Sequence, residues 1–158
     1  MTDTVTQAKR SQIMARVRSK NTGPEVKVRQ ALHAAGFRFR LHLKSLPGSP
    51  DIVLPKYRTA VFVNGCLWHW HGCKSSRMPS TNMLYWENKI QRNVERDLNN
   101  TISLKSCGWH IETIWGCQLE LGIRDALGRL EERRSIIRNN QLEGRFKDPK
   151  CHKVTPSN

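Results

Sequence analysis

The order of the hydrophobic patterns along this chain predicts an α/β fold with a mixed central β-sheet flanked by helices. Three segments carry apolar residues at helical spacing, and four shorter apolar runs are typical of strands. Strands that alternate with helices in this way usually form one sheet between helical layers. Helices are predicted at residues 22–36, 85–107 and 118–137, and strands at 37–43, 51–54, 59–63 and 109–115.

The first of these helices has start and stop signals in its sequence. Thr22 can serve as its N-cap, and Glu25 stands three residues later, where the carboxylate of a capping box belongs. Gly36 is expected to end the helix. A further basic amphipathic helix is predicted at residues 6–19, before this one.

The second helix is the longest, and an apolar stripe forms most of one of its faces. Gly108 is expected to stop it, and the loop before it, residues 65–80, is rich in Cys, His, Trp and Gly without any periodicity. That loop is therefore expected to be functional. The stripe consists of Trp86, Ile90, Val94, Leu98, Ile102 and Leu104.

Length and charge indicate one domain that acts on a polyanion. The chain has 158 residues, with 27 Lys and Arg against 13 Asp and Glu, a formal net charge of +14. Nucleic acid is the commonest polyanionic partner, although a solvated basic surface gives the same composition. We expect a DNA-contacting arm at 1–20, a catalytic or binding domain at 21–137 and a basic polar tail at 138–158.

Neither a membrane span nor a signal peptide is expected. No apolar run approaches 18 residues, and the first dozen residues lack the apolar core of a signal peptide. A cytoplasmic, nucleoid-associated protein is therefore predicted. In that compartment cysteines are more often metal ligands or core residues than disulfides.

Four cysteine and histidine residues crowd into eight positions and predict a metal site. Cys66, His69, His71 and Cys73 lie in the central loop, and Cys117 follows the last strand. Thiolates and one imidazole form the ligand set of tetrahedral structural zinc. Spacing alone leaves either His69 or His71 as the nitrogen ligand.

A second group of residues is suited to phosphodiester hydrolysis. Asp51 opens a strand, where a carboxylate can hold Mg²⁺ against a phosphate, although Pro-Asp is also ordinary turn chemistry. The next strand has no acid-x-Lys pair, so another base is needed. His69 is the candidate, because a neutral imidazole accepts a proton near physiological pH. Asp97 could orient it, or belong to a charged helix face.

At this point the chain closely resembles the very short patch repair endonucleases. The resemblance covers residues 10 to about 135, in order and without a large gap. Its motifs are Arg10-Ser11 with Met14, Leu46-Pro47-Gly48-Ser49-Pro50-Asp51, Val61-Phe62-Val63-Asn64-Gly65-Cys66-Leu67-Trp68-His69-Trp70-His71-Gly72-Cys73, Trp86-Glu87-Asn88-Lys89-Ile90, Asn93-Val94-Glu95-Arg96-Asp97, Gly108-Trp109 and Ile114-Trp115-Gly116-Cys117.

The resemblance implies a restriction-endonuclease-like fold and a role in DNA repair. Members of the family nick one strand of double-stranded DNA, 5′ to the T of a T·G mismatch that arises when 5-methylcytosine deaminates. They use catalytic Mg²⁺ and structural Zn²⁺. A monomer is expected, with a functional link to a cytosine-5 DNA methyltransferase and a repair polymerase.

The resemblance also implies a role for each matching residue. Asp51 corresponds to the Mg²⁺ carboxylate and the Val63 carbonyl to a second Mg²⁺ ligand. His69 corresponds to the base, Asp97 to its partner and Glu25 to an acid near the metal-bound waters, unless Glu25 only caps its helix. The zinc ligands correspond to Cys66, His71, Cys73 and Cys117, and the DNA wedge to Met14, Leu67 and Trp68.

Three departures from the family pattern bear on rate and selectivity. Val63-Asn64 stands where the family commonly has Thr-His, and Leu67 replaces a Phe. Asn64 cannot take up a proton as His can, and Leu67 removes one stacking ring. Two alternatives remain open: a zinc-stabilised DNA-binding module without catalysis, and a sequence-specific restriction endonuclease. Trp68 could also be a core residue instead of a DNA contact.

Overall fold

The computed structural model describes residues 20–80 and 82–142, and the structural statements below concern these residues. The predicted helix at 6–19 and the tail at 143–158 lie outside them. The described helices are α1 (Gly23–Ala34), α2 (Met83–Ser106) and α3 (Leu119–Leu142). The described strands are β1 (Arg40–Leu41), β2 (Ile52–Leu54), β3 (Thr59–Asn64) and β4 (His110–Trp115).

The four strands form one sheet in the order β1-β2-β3-β4. Both β1 with β2 and β2 with β3 pair antiparallel, whereas β3 and β4 pair parallel. The predicted mixed sheet is thus confirmed. Its register aligns Ile52 with Val61 and Val63 with Ile114.

One face of the sheet packs against α1 and α3. Successive side chains of a strand point to opposite faces of the sheet, so every second residue of β2 and β3 points to this face. Here Leu54, Val61 and Ile114 are almost fully buried. They form one cluster with Val28 and Leu32 of α1 and with Ala126 and Leu130 of α3.

The opposite face of the sheet carries Val53 and Ala60, both fully buried, and α2 packs at β4. The predicted apolar stripe of α2 is only partly buried. Trp86, Ile90 and Leu104 are buried near its two ends, while Val94, Leu98 and Ile102 are 41%, 57% and 57% exposed. The middle of α2 is therefore not a core element.

The first predicted strand, 37–43, is much shorter than expected. Phe37 is fully buried and packs edge-on against Tyr57 at a ring-centroid distance of 5.2 Å, with the Arg134 guanidinium 3.9 Å from its ring centroid. His42 has φ 46°, which leaves the extended region. Core packing at one end and this backbone turn at the other leave only Arg40–Leu41 paired.

One further expectation differs from the structure. The last helix continues to Leu142 instead of ending near Ile137. Cys107, which follows α2, is half-buried. Within the described part of the chain, no helix combines the length and apolar character needed to cross a membrane.

Candidate active site and metal centre

A cavity of about 950 Å³ lies between the α2-facing side of the sheet and the middle of α2. Side chains of β3 and β4 form its floor, because every second residue of each strand points to this side of the sheet. Val94 and Leu98, two of the three exposed residues of the α2 stripe, line the cavity wall. Of the residues predicted from the sequence, it is lined by Glu25, Asp51, Val63, Asn64, Trp68, His69 and Asp97.

Asp51 stands immediately before β2, with its side chain 23% exposed. The backbone N–H of Val63 donates to Asp51 Oδ2 at 2.8 Å, which fixes the carboxylate beside the end of β3. Burial raises the pKa of Asp51, and the nearby Glu25 charge raises it further, whereas this hydrogen bond lowers it. Burial disfavours the charged form of this carboxylate, and a cation bound beside it would favour that form.

Glu25 caps α1 and also reaches the cavity. The capping box is confirmed: the Thr22 hydroxyl accepts from Glu25 N, and the Glu25 carboxylate accepts from the Thr22 backbone. Glu25 is only 3% exposed, and its Oε2 also accepts from Arg29 Nη2 at 2.8 Å. Capping and a position on the cavity wall therefore coexist in one side chain.

His69 and Asp97 meet across the cavity, from the central loop and from α2. His69 Nδ1 lies 2.5 Å from Asp97 Oδ2. One turn earlier on α2, Asn93 Nδ2 donates to the carbonyl of Trp68 at 3.0 Å. These two contacts attach the loop to α2. Neither of them uses Nε2 of the His69 imidazole.

The central loop and Cys117, two residues after β4, bring four metal-ligand atoms together. Within the described residues, the ligand atoms of Cys66, His71, Cys73 and Cys117 all lie within 4.8 Å of one another. Ligands about 2.3 Å from a tetrahedral metal lie roughly 3.8 Å apart, so this cluster fits one ion. His69 is not part of it, because its Nδ1 faces Asp97.

The thiols of this cluster differ in pKa. A hydrogen bond from His71 lowers the pKa of Cys73 to about 6. Desolvation, followed by the neighbouring Cys66 and Cys73 thiols, raises the pKa of Cys117 to about 12. Repulsion between adjacent thiolates disfavours ionising all three, and a divalent cation is what relieves it.

The predicted wedge residues are less exposed than the loop composition suggested. Trp68 is half-buried, packs against Trp86 at 5.6 Å between ring centroids, and has Lys89 Nζ 5.1 Å from its ring. Leu67 is half-buried, whereas Trp70 is 46% exposed. Met14 lies outside the described residues.

The sequence analysis did not predict two residues that contact the carboxylates of Asp51 and Glu25. Arg29 and His42 contact these carboxylates from α1 and from the turn after β1. Arg29 could have been found, because it stands four residues after Glu25 on a predicted helix. His42 could not, since nothing in the sequence links that turn to Asp51.

Comparison with known proteins identifies the family of this chain. A family model described as DNA mismatch endonuclease Vsr matches residues 2–75. The chain is 46% identical over 138 residues to the type II nicking enzyme V.XorIIP of Xanthomonas oryzae, covering 87% of this chain and 98% of that protein. It is 44% identical to the type II nicking enzyme V.NmeAIP of Neisseria meningitidis, covering 76% and 86%.

The DNA mismatch endonuclease Vsr of Escherichia coli is 37% identical over 119 residues, covering 75% of this chain and 76% of that protein. Relatives at these identities share the fold of the chain along most of their length. The family model spans the segment that carries Glu25, Asp51 and most of the central loop. The chain belongs to the DNA mismatch endonuclease Vsr family.

Proposed function

We propose that this protein is a Mg²⁺-dependent endonuclease that nicks one strand of double-stranded DNA 5′ to the T of a T·G mismatch. The observation that carries the proposal is that one cavity is lined by a carboxylate, an imidazole and the acid that pairs with it: Asp51, His69 and Asp97. A DNA-binding module without catalysis has no use for this arrangement.

Asp51 and the backbone of Val63 are the proposed ligands of Mg²⁺. Since the N–H and C=O of a residue in an extended strand point to the same neighbour, the N–H bond from Val63 to Asp51 implies that the Val63 carbonyl also faces this side. Both are the oxygen ligands that Mg²⁺ prefers. When bound, the ion would neutralise charge on the scissile phosphate.

His69 is the proposed general base and Asp97 its positioning residue. A carboxylate at Nδ1 keeps the proton on that nitrogen, which leaves Nε2 to accept one from water. Glu25 and Asn64 also line the cavity, and Asn64 can donate a hydrogen bond to a phosphate oxygen or to the leaving group.

Zinc is the proposed occupant of the four-ligand cluster, with a structural role. Three sulfurs and one nitrogen form a closed ligand set without an open position for substrate. The mixed parallel and antiparallel pairing of the strands and a carboxylate beside the sheet also support a restriction-endonuclease-like fold. The proposed domain limits are an arm at 1–20, the endonuclease domain at 21–137 and a basic tail at 138–158.

The proposal is tested with two duplexes that differ by one base. Each carries T in the same labelled strand, opposite G in one duplex and opposite A in the other, at one fixed salt concentration with Mg²⁺. We expect a single nick in the T strand of the T·G duplex only. Asp51→Asn is the control, and it is expected to abolish the nick by weakening the metal site.

The other outcomes identify the alternatives. Nicking of T·G and T·A duplexes at equal rates would indicate a sequence-specific nicking enzyme, the second candidate, which is favoured by the two relatives named type II nicking enzymes. Cutting of both strands would indicate a restriction endonuclease, and binding without cutting a DNA-binding module. Varying the flanking base pairs then gives the recognised sequence.

Trp68→Ala is expected to reduce the preference for T·G over T·A binding by about 5- to 150-fold, since stacking of a base on an aromatic ring contributes about 1–3 kcal/mol. Inserting a side chain costs least at a mismatch, where stacking is already poor. Fluorescence anisotropy with both duplexes measures this ratio.

The matched control is Trp70→Ala, which removes an exposed indole from the same loop and should leave the preference unchanged. Because Trp68 packs on Trp86, a thermal melt accompanies each variant. Equal loss of affinity for both duplexes, together with a lower melting temperature, would mean that Trp68 is a packing residue instead.

A further inference from the structure

Trp115, the last residue of β4, contacts the four-ligand cluster and also lines the cavity. Its indole stacks on the imidazole of His71, with 4.3 Å between the ring centroids and 17° between the ring planes. Asn64, its partner in the pairing of β4 with β3, lines the same cavity. Cys117 follows two residues later, so this short segment brings a ring to the cavity wall and a sulfur to the cluster.

Two contacts besides this stack place His71. Its backbone N–H donates to the carbonyl of Cys66 at 3.0 Å, and its Nδ1 lies 3.3 Å from Cys117 Sγ. Nδ1 is therefore the ring atom that faces the sulfurs and is suited to bind the metal. A histidine ligand is usually oriented by a hydrogen bond from its other ring nitrogen to a carboxylate or a carbonyl.

In the part of the chain that the structure describes, His71 lacks that orienting hydrogen bond. No carboxylate or carbonyl of these residues accepts from His71 Nε2. The stacked indole of Trp115 restricts the imidazole instead. Because the two rings are nearly parallel and in contact, turning the imidazole about its bond to Cβ would press its edge into the indole face.

We propose that Trp115 is a positioning residue, whose indole holds the zinc ligand His71 in its coordinating orientation and thereby makes one wall of the cavity part of the zinc site. The inference rests on the proposed function, because it takes zinc as the occupant of the cluster. The metal then does more than tie the central loop to β4, since one of its ligands also restrains a ring that lines the cavity.

Zinc affinity measures the effect of Trp115 on His71. Zinc-loaded protein is titrated with a chelator whose zinc complex is coloured, and the zinc that the protein retains is read by absorbance. Trp115→Leu is expected to bind zinc about 10- to 100-fold more weakly, the usual effect of removing a group that orients a metal ligand. Trp115→Phe keeps a ring for the stack and is expected to restore most of the affinity.

Trp109→Leu is the matched control, because Trp109 is also half-buried, stands just before the other end of β4 and is not part of the cavity lining. Its ring centroid lies 5.5 Å from the Arg58 guanidinium. This variant is expected to keep the wild-type zinc affinity even where it lowers the melting temperature. Wild-type affinity in folded Trp115→Leu, or an equal loss in Trp109→Leu, would overturn the proposal.

His71→Cys tests the link to the cavity wall, and it remains informative if Trp115→Leu does not fold. Four cysteines form an ordinary structural zinc site, so this variant is expected to keep one zinc while it loses the stacked ring. The motion of Trp115 is then read by ¹⁹F NMR of protein that carries 5-fluorotryptophan at its five tryptophan positions, with Trp115→Phe identifying the signal.

The relaxation of the Trp115 signal is expected to show a more mobile indole in zinc-loaded His71→Cys, whereas the relaxation of the Trp109 signal stays unchanged. Relaxation is compared because loss of the neighbouring ring shifts the signal whether or not the indole moves. Equal relaxation of the Trp115 signal in the wild type and in His71→Cys would overturn the link to the cavity wall. No DNA is used, so failure of T·G nicking and failure of this inference are separate results.

Discussion

His69→Ala is expected to slow nicking of the T·G duplex by about 10²–10⁴-fold at saturating Mg²⁺, the usual contribution of a general base. His69 lines the cavity together with Asp51, and its Nδ1 is paired with Asp97, so that Nε2 is left to accept a proton from water. Single-turnover nicking with enzyme in excess measures the loss at the chemical step.

Binding to the mismatch should survive this substitution, because contacts to phosphates and grooves supply most of the affinity. His33→Ala is the matched control, since His33 is an exposed residue of α1 outside the cavity lining, and it is expected to nick at the normal rate. Near-normal nicking by His69→Ala would overturn the assignment, and Glu25 would become the next base to test.

Asp97→Asn should give a smaller loss than His69→Ala. The amide can still contact the imidazole, but it stabilises neither the Nδ1–H tautomer nor the imidazolium as a carboxylate does. Asn64→Ala separates a second contribution. Since an amide donates a hydrogen bond without taking up a proton, its removal is expected to affect nicking less than removal of His69.

Local signals in the sequence were sufficient for most of the elements. Thr22 and Glu25 mark the start of α1 by a capping box that the structure contains, and the positions of β2 and β3 follow from short apolar runs bounded by turns. The four predicted zinc ligands lie within one cluster. In each case the signal comes from residues near one another in the chain, or from residue types with few alternative uses.

Two features of the site depend on tertiary structure and could not be predicted. The apolar spacing of Val94 and Leu98 is the same as that of buried Ile90, yet they line a cavity instead of a core. Helical periodicity gives the face of a helix but not what covers it. Likewise, His42 approaches Asp51 only because β1 and β2 pair antiparallel, which the sequence of the turn does not specify.

Loss of one zinc ligand is expected to unfold the domain or to lower its melting temperature by more than about 10 °C. The cluster joins Cys66, His71 and Cys73 of the central loop to Cys117, which lies two residues after β4. Structural zinc sites contribute about 10–16 kcal/mol of binding free energy in small peptides, which is comparable to the whole stability of a domain. Metal analysis should find about one zinc per chain.

Cys66→Ser and Cys117→Ser separate zinc binding from packing. Cys66 is 7% exposed, whereas Cys117 is exposed, so a purely packing role predicts that only the Cys66 substitution destabilises the protein. A zinc role predicts that both variants lose the metal and melt at lower temperature, because a four-ligand site fails when any ligand is removed. A stable wild-type protein without zinc, or a Cys117→Ser variant that melts normally, would contradict the structural role of the metal.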